Sequence, residues 1–260
     1  MDLGRVPPAL VGDAGAGMPV GSGLREGRDL LPFADPGTGQ GGGSLKTAVL
    51  FPGQGAQFLG MGRDLVDRFP AARDVFLEAN EALGEDLARL CFEGPEEELR
   101  QTRNTQPAIY AHSVAVLRTL GLDCAGDRCR AAGHSLGEYT AYHAAGSFSF
   151  AGGLRLVRRR GELMYQAGLD RPGTMAAVLG MEGARVQEIL AGIPGIVKAA
   201  NLNSPGQVGI SGEVEAVQLG MAALQAAGAK RVVRLEVSGA FHSPLMEGAV
   251  RGLAEALTAT

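Results

Sequence analysis

The chain has 260 residues, of which 45% are hydrophobic and 20% charged, and its formal net charge at pH 7 is −4. This slightly acidic balance gives no reason to expect nucleic acid or an anionic membrane as a partner. The sequence has no apolar run long enough to span a membrane and no N-terminal signal peptide pattern. Cys91, Cys124 and Cys129 lack Cys-x-x-Cys spacing, so we expect no disulfide framework, no metal site and a cytoplasmic location.

Residues 1–44 differ in composition from the rest of the chain and end in a run of three glycines and a serine. Glycine and proline make up roughly two fifths of this segment, and such a composition buries too little apolar surface to offset chain entropy. The sequence therefore predicts a disordered tail over 1–44.

After this tail, the pattern favours strands separated by helices. The pattern predicts a short buried strand at Thr47–Phe51 and a flexible, amide-rich loop after it at Pro52–Ala56. Apolar residues at helical spacing predict one helix over Ala72–Leu90 and another that begins near Asn104. This alternation predicts an α/β fold with a hydrolase-like, mainly parallel sheet and helices on both faces.

The stretch Gly133-His134-Ser135-Leu136-Gly137 has the pattern Gly-x-Ser-x-Gly between a short predicted strand and a predicted helix. In a nucleophile elbow the serine lies on a sharp turn, and the glycines let the backbone bend and the helix pack closely. The N–H groups at the start of the helix suit an oxyanion. A turn with a capping serine is the alternative, but the flanking strand and helix favour a nucleophile.

The helix predicted over about 150–167 has one arginine on its apolar side. When the helix is projected at about 100° per residue, Arg155, Arg158 and Arg159 fall on the solvent side and Arg160 falls within the apolar arc. An unpaired buried charge is costly, so Arg160 needs an anionic partner. A structural salt bridge, a snorkelling side chain and a ligand carboxylate or phosphate are the alternatives.

From about Gly173 the pattern changes to short strands and short helices. The predicted elements are a strand at Thr174–Leu179, a helix at Ala184–Leu190, strands at Ile196–Ala200 and Gln207–Ser211, a helix at Val214–Ala227 and a strand at Lys230–Val237. This βαββαβ order is the ferredoxin-like arrangement. We predict a ferredoxin-like subdomain over 173–237, inserted into a main domain formed by 45–172 and 238–260.

A loop with a histidine, His242, follows the predicted insert directly. Because the chain returns to the main domain there, His242 is the best candidate base for Ser135. We expect His134 to point away from the nucleophile, and His112 and His143 to be packed or solvated within helices.

Six stretches in the same order and spacing resemble the malonyl-CoA:acyl carrier protein transacylases, the acyltransferase family of fatty acid and polyketide synthesis. The stretches are Phe51–Gln57, Thr105–Ala108, Gly133–Glu138, Arg155–Gly161, Asn201–Gln207 and Gly239–His242. The resemblance implies a monomeric enzyme without a bound cofactor, with malonyl-CoA as its substrate. It implies that the acceptor is the phosphopantetheine thiol of an acyl carrier protein.

The resemblance also implies roles for single residues. Ser135 matches the nucleophile, His242 the residue that accepts its proton, and Arg160 the arginine that binds the malonyl carboxylate. Gln54 and Leu136 match the positions whose backbone N–H groups form the oxyanion hole.

Three further positions bear on the acyl pocket. Gln106 and Asn203 match polar residues near that pocket. Phe241, together with Leu136, resembles the malonyl-selective form of the family, because a bulky Phe241 would crowd a branch methyl on the substrate.

Other functions remain open at this point. A serine esterase or thioesterase is permitted by Gly-x-Ser-x-Gly, although Arg160 and the insert argue against it. A polyketide-synthase trans-acyltransferase is another alternative. Family members continue beyond the position of Thr260, which makes an inactive truncated fragment a third alternative.

Basic residues that could dock an acidic carrier protein are Arg155, Arg158, Arg159, Lys230, Arg231 and Arg234.

Overall fold

The structure, a computed structural model, describes residues 47–122, 124 and 129–260. They belong to one compact unit, Lys46–Thr260. The tail predicted over 1–44 lies outside the described residues. Every helix in the described part of the chain is too short or too polar to cross a membrane.

The segment from Thr47 to Asp170 consists of helices and one parallel pair of strands. Its elements are β1 (Thr47–Phe51), α1 (Arg63–Arg68), α2 (Pro70–Leu83), α3 (Leu87–Glu93), α4 (Glu96–Leu99), α5 (Thr102–Thr119), β2 (Cys129–Gly133), α6 (Gly137–Ala144) and α7 (Phe150–Asp170). β1 and β2 pair in parallel, from Thr47 opposite Cys129 to Phe51 opposite Gly133. Within the described residues this sheet consists of two strands, and their parallel pairing agrees with the α/β fold expected for the main domain. The described segments between β1 and β2 form helices, as the sequence predicts.

The main apolar core lies where α2, α5 and α7 pack together. On α2 the buried residues Ala72, Val75, Phe76 and Ala79 recur at helical spacing and form one apolar stripe. The helix predicted over 72–90 is divided in the structure. α2 ends at Gly84, whose φ of 66° is favourable for glycine, and Asp86 begins α3 by accepting a hydrogen bond from the backbone N–H of Arg89.

The second part of the unit is built on an antiparallel sheet. Its elements are β3 (Thr174–Leu179), α8 (Gly183–Leu190), β4 (Val197–Ser204), β5 (Gln207–Gly212), α9 (Val214–Ala226) and β6 (Arg231–Arg234). The strand order is β4-β5-β3-β6, and all neighbours are antiparallel. The element order is βαββαβ, as expected from the sequence. A 3₁₀ turn at Pro244–Met246 and α10 (Glu247–Thr258) follow.

Two predicted boundaries in this sheet are wrong. β4 continues to Ser204, so the predicted turn over Asn201–Gly206 is reduced to Pro205 and Gly206. Register shifts between Ala199 and Asn201 and between Leu202 and Ser204 let pairing continue through this polar stretch. β6 ends at Arg234, three residues before the predicted end at Val237.

The cysteines also differ from expectation. Cys124 and Cys129 form a single disulfide, with their Cα atoms 4.8 Å apart, which the spacing of the cysteines did not predict. A spacing pattern in the sequence does not show how closely the segment after α5 approaches the first residue of β2. Cys91 on α3 is a free, buried thiol, and burial raises its pKa to about 12.

Candidate active site

The parallel pairing of β1 and β2 brings two loops to the same edge of the sheet. Gln54 lies in the loop after β1, and Ser135 lies in the turn after β2. The loops are in direct contact, because the backbone N–H of His134 donates to the Phe51 carbonyl oxygen at 3.1 Å. A Cβ atom at Gly53 would lie 2.6 Å from the His134 carbonyl oxygen, so this approach requires glycine.

The turn at Ser135 has the geometry of a nucleophile elbow. Ser135 has a φ of 52°, in the left-handed region that a residue with a side chain rarely adopts. A Cβ atom at Gly133 would collide with the backbone of Gly137, and a Cβ atom at Gly137 would collide with the Phe51 carbonyl oxygen. Both glycines of the pattern are therefore required by the close packing of β2, α6 and β1.

Ser135 and His242 are 107 residues apart in the sequence, and their side chains meet. Ser135 Oγ lies 2.9 Å from His242 Nε2, within hydrogen-bond distance. His242 has a φ of 58°, and the loop around it is fixed because Ser243 Oγ donates to the Ala240 carbonyl oxygen at 2.6 Å. Serine and imidazole are thus arranged as a nucleophile and a general base.

The surroundings of His242 favour its neutral form. Partial loss of solvent, together with electrostatic interactions with Arg160 and His134, lowers the pKa of His242 below its ordinary value. A neutral imidazole can accept the proton of Ser135, whereas an imidazolium cannot. The site therefore holds its base in the reactive form at neutral pH.

Arg160 is buried beside the nucleophile, with only 8% of its surface exposed. Its Nη1 donates to Gln106 Oε1 at 2.7 Å, and its Nη2 donates to Ser135 Oγ at 3.1 Å. The guanidinium also lies 5.3 Å from the centre of the Tyr139 ring. Among the described residues, no carboxylate forms an ion pair with Arg160. Within the described residues, the structural salt bridge that the sequence left open is therefore not formed. Burial lowers the pKa of Arg160, against smaller opposing effects of Tyr139 and Glu138.

A pocket of about 100 Å³ adjoins these groups. Its polar wall includes Gln54, Gln106, Ser135, Arg160 and His242, and its apolar wall includes Met164, Met175, Leu235, Val237 and Phe241. Gln106 connects the two walls, because it accepts from Arg160 and its Nε2 lies 3.2 Å from Met164 Sδ. The pocket suits a small acyl group with one anionic end.

The structure separates Asn203 from this pocket. Asn203 is exposed, and Asn201 lines the pocket instead. The register shift of β4 between Leu202 and Ser204 changes which polar residue of this stretch faces the site. The placement predicted for Asn203 near the acyl pocket is therefore wrong, and Asn201 is the pocket residue that the sequence reasoning missed.

Two backbone N–H groups near Ser135 are available for an oxyanion. Within the described part of the chain, neither the N–H of Leu136 nor that of Gln54 donates to a protein acceptor. Leu136 directly precedes the first residue of α6, so its N–H lies at the positive end of a helix. The Gln54 side chain donates to Thr102 Oγ1 at 3.2 Å, which fixes the loop that carries the second N–H.

Several other polar residues lie elsewhere than expected. His134 lines the pocket, although we expected it to point away from the nucleophile, because the close approach of β1 leaves its ring beside Gly53. His143 is packed within its helix and contacts the Phe148 carbonyl oxygen at 3.1 Å through Nδ1. Arg158, expected on the solvent side, is largely buried and forms an ion pair with Glu85. The described residues contain no cluster of His, Cys, Asp and Glu able to hold a metal ion.

Comparison with known proteins identifies the family. Residues 49–260 match the profile described as "Acyl transferase domain". The malonyl CoA-acyl carrier protein transacylase of Bacillus subtilis (strain 168) is 46% identical over 217 residues, which cover 82% of this chain and 68% of that protein. The polyketide biosynthesis protein ThaF of Burkholderia thailandensis is 50% identical over 206 residues, 78% of this chain and 17% of that protein.

A solved structure gives the same result. It holds a type II polyketide synthase acyl-carrier protein in complex with its malonyl-transacylase, and it matches with a TM-score of 0.77 at 43% identity. The match covers 82% of this chain and 70% of that chain. These findings confirm the resemblance inferred from the sequence motifs. The chain belongs to the acyl transferase domain family.

Proposed function

We propose that this chain transfers a malonyl group from malonyl-CoA to the phosphopantetheine thiol of an acyl carrier protein, through an acyl-enzyme on Ser135. The observation that carries the proposal is Arg160, a buried cation 3.1 Å from the nucleophile without an acidic partner among the described residues. Malonyl-CoA has a free carboxylate close to its reactive carbonyl, and a guanidinium can bind such a carboxylate with two parallel hydrogen bonds.

In the first half-reaction, Ser135 Oγ attacks the thioester carbonyl carbon while His242 Nε2 accepts the hydroxyl proton. The carbonyl oxygen becomes an oxyanion that the N–H groups of Gln54 and Leu136 stabilise. The carbon–sulfur bond then breaks, and His242 returns the proton to the leaving thiol of CoA. Removing one oxyanion donor typically costs about 2.7–4 kcal/mol of activation free energy.

In the second half-reaction, the thiol of the carrier protein is the acceptor of the malonyl group. His242 accepts the thiol proton, the sulfur attacks the malonyl ester carbon, and Ser135 leaves with the proton. Both half-reactions pass through an oxyanion at the same place, so one site serves both substrates in a ping-pong sequence.

A groove next to the pocket supports a substrate with a long arm. It has a volume of about 380 Å³, and it shares Gln54, Leu235 and Val237 with the lining of the active-site pocket. Gln57 and Phe58 extend its lining outwards. The groove is also lined by charged residues, namely Glu96, Arg100 and Glu236. The amides and apolar side chains among its lining residues suit the amide-bearing arm that CoA and a carrier protein have in common. The small pocket would hold the acyl group and the groove would hold the arm.

The domain division is part of this proposal. The antiparallel sheet with α8 and α9 would be a ferredoxin-like insert over 173–237, and 45–172 with 238–260 would form the main domain. The pocket lining supports this division, because Met175 and Asn201 come from the antiparallel sheet and Ser135 comes from the turn after β2. A carrier protein as partner is supported by the complex found among the matching structures. A cytoplasmic location and a monomeric state remain predictions from the sequence.

The experiment is an intact-mass measurement of the purified chain after incubation with malonyl-CoA. We expect a malonyl adduct on the wild type and none on Ser135→Ala, because the adduct requires the serine oxygen. Addition of holo acyl carrier protein should remove the adduct and yield malonyl carrier protein. A folded wild type that acquires no adduct would contradict the proposal.

The same experiment tests the hydrolase alternative. A serine thioesterase would lose its adduct to water at the same rate with and without carrier protein. It would also accept acetyl-CoA as readily as malonyl-CoA, since hydrolysis needs no carboxylate site. The position of Arg160 favours transfer of an acidic acyl group over this alternative.

A further inference from the structure

We infer that Thr102 is a positioning residue that holds the oxyanion loop and the histidine loop in register with each other. This inference rests on the proposed function only in assuming that Ser135, His242 and the Gln54 N–H act together. Thr102 is the first residue of α5 and is completely buried. It makes no contact with Ser135 or His242 in the described hydrogen bonds, so any effect on chemistry is indirect.

One hydroxyl group joins two loops that are distant in the sequence. Thr102 Oγ1 accepts a hydrogen bond from Gln54 Nε2 at 3.2 Å and lies 3.0 Å from Ser238 Oγ. Gln54 is 48 residues before Thr102, and Ser238 is 136 residues after it. A threonine hydroxyl can accept one hydrogen bond and donate another, so it can satisfy both partners at once.

Each loop carries one part of the catalytic arrangement. In the first loop, the backbone N–H of Gln54 is the predicted oxyanion donor, and the side chain of Gln54 bonds to Thr102. In the second loop, Ser238 is four residues before His242. The intervening Ala240 and Phe241 are buried, so a shift at Ser238 would be transmitted to the histidine through packed residues.

Thr102 also adjoins the helix that carries Arg160. A Cβ atom at Gly161 would lie 2.8 Å from the Thr102 carbonyl oxygen, which shows how closely α7 approaches the start of α5. The carboxylate site, the oxyanion loop and the histidine loop thus meet around one buried residue. Catalytic groups displaced by about 1 Å can lose about a hundredfold in rate, so this fixed point matters for the reaction.

The test compares Thr102→Val with Thr102→Ser. Valine keeps the shape but leaves Gln54 Nε2 and Ser238 Oγ without their shared partner, whereas serine keeps the hydroxyl. The first readout is the rate at which a fluorophosphonate labels Ser135, a reaction that forms the serine oxygen–phosphorus bond, releases fluoride and passes the serine proton to His242. The second readout is the malonyl-CoA acylation of Ser135, resolved into kcat and KM.

We expect Thr102→Val to lower both rates about tenfold through kcat, with little change in KM, because the acyl-binding groups are untouched. Thr102→Ser should react at nearly the wild-type rate. Thr105→Val is the matched control, because Thr105 is an equally buried hydroxyl on α5 that bonds to the Leu99 carbonyl oxygen and contacts neither loop. Its labelling rate should equal that of the wild type.

Four results would overturn the inference. They are a wild-type labelling rate in Thr102→Val, an equal loss in Thr102→Ser, an equal loss in Thr105→Val, and a loss confined to KM. If the wild type reacts with the fluorophosphonate but not with malonyl-CoA, the proposed substrate is wrong, and the labelling rates of the variants still decide the role of Thr102. A wild type that reacts with neither reagent contradicts both proposals.

Discussion

Arg158 and Arg160 lie two residues apart on α7, and both are shielded from solvent, but their surroundings are opposite in kind. Arg158 forms an ion pair with Glu85 and donates to the Arg103 carbonyl oxygen at 3.0 Å and to Asn104 Oδ1 at 2.8 Å. In the part of the chain that the structure describes, the hydrogen bonds of Arg160 go to neutral groups, an amide oxygen and the hydroxyl of Ser135, and its guanidinium lies over the Tyr139 ring.

Arg158 has a counter-ion in Glu85, whereas Arg160 has none among the described residues and is available for an anionic ligand. Arg158 pairs with Glu85 through Nη2 and fastens α7 to the start of α5 through Nη1, whereas its Nε is buried without a hydrogen-bond partner among the described residues. Arg160 has no ion-pair partner in the described part of the chain, and a buried cation without a counter-ion costs stability unless an anion binds. The two arginines are both shielded from solvent, so burial does not distinguish them. They differ in whether a carboxylate of the described residues forms an ion pair with the guanidinium.

The largest expected effect comes from removing the uncompensated charge. Arg160→Ala should lower kcat/KM for malonyl-CoA about a hundredfold, since charge-assisted hydrogen bonds contribute about 1.5–3 kcal/mol. Acetyl-CoA, which has no free carboxylate, should be affected much less. The measurement is acylation of Ser135 with each thioester. An equal loss with both would show that Arg160 does not bind the carboxylate.

A smaller effect is expected at the opposite wall of the pocket. Phe241→Ala should raise kcat/KM for methylmalonyl-CoA relative to malonyl-CoA about tenfold, because a single methyl group in an apolar pocket changes binding by about 1–3 kcal/mol. Competition between the two thioesters, read by intact mass, gives this ratio directly. An unchanged ratio of the two kcat/KM values would show that Phe241 does not determine the selectivity against the methyl branch.

Removing the paired charge should affect stability and leave selectivity unchanged. Glu85→Gln should lower the free energy of unfolding by about 1 kcal/mol, because Glu85 is half exposed and its ion pair with Arg158 is partly screened by solvent. Chemical denaturation measures this loss, and the ratio of malonyl to acetyl transfer serves as the control. A changed ratio would mean that the environments of Arg158 and Arg160 are coupled and cannot be treated separately.

The smallest expected effect is a displacement of the pH profile. His242 must be neutral to accept a proton, and its pKa is lowered by desolvation, Arg160 and His134, so kcat/KM should fall only below the ordinary histidine pKa of about 6.5. Arg160→Ala removes one of these charges, so the acid limb should move upward, towards the ordinary value. The position of the acid limb is measured from kcat/KM for acylation by acetyl-CoA between about pH 5 and 8, the range in which histidine titrates.

Glu85→Gln is the control for the pH experiment, because the Glu85–Arg158 pair is not among the groups that shift His242. Its acid limb should coincide with that of the wild type. If the acid limb of Arg160→Ala stayed in place, Arg160 would not contribute to the lowered pKa of His242.

The sequence by itself determined the local parts of this protein. Gly133, Ser135 and Gly137 predicted the elbow, because a sharp strand-to-helix turn needs small residues at fixed spacing. Helical periodicity predicted that Arg160 is buried, and the change of pattern near Gly173 predicted the βαββαβ order. These features depend on neighbours in the chain, so they can be read from short stretches.

Only the tertiary structure decided which distant groups meet. The hydrogen-bond distance between Ser135 and His242, the ion pair of Arg158 with Glu85 and the two contacts of Thr102 all join different elements. The family resemblance predicted Asn203 near the pocket, whereas Asn201 lines it in a stretch of β4 that contains register shifts. Helical projection gives the direction of a side chain but not what packs against it, so it treated Arg158 as solvated and left the partner of Arg160 open.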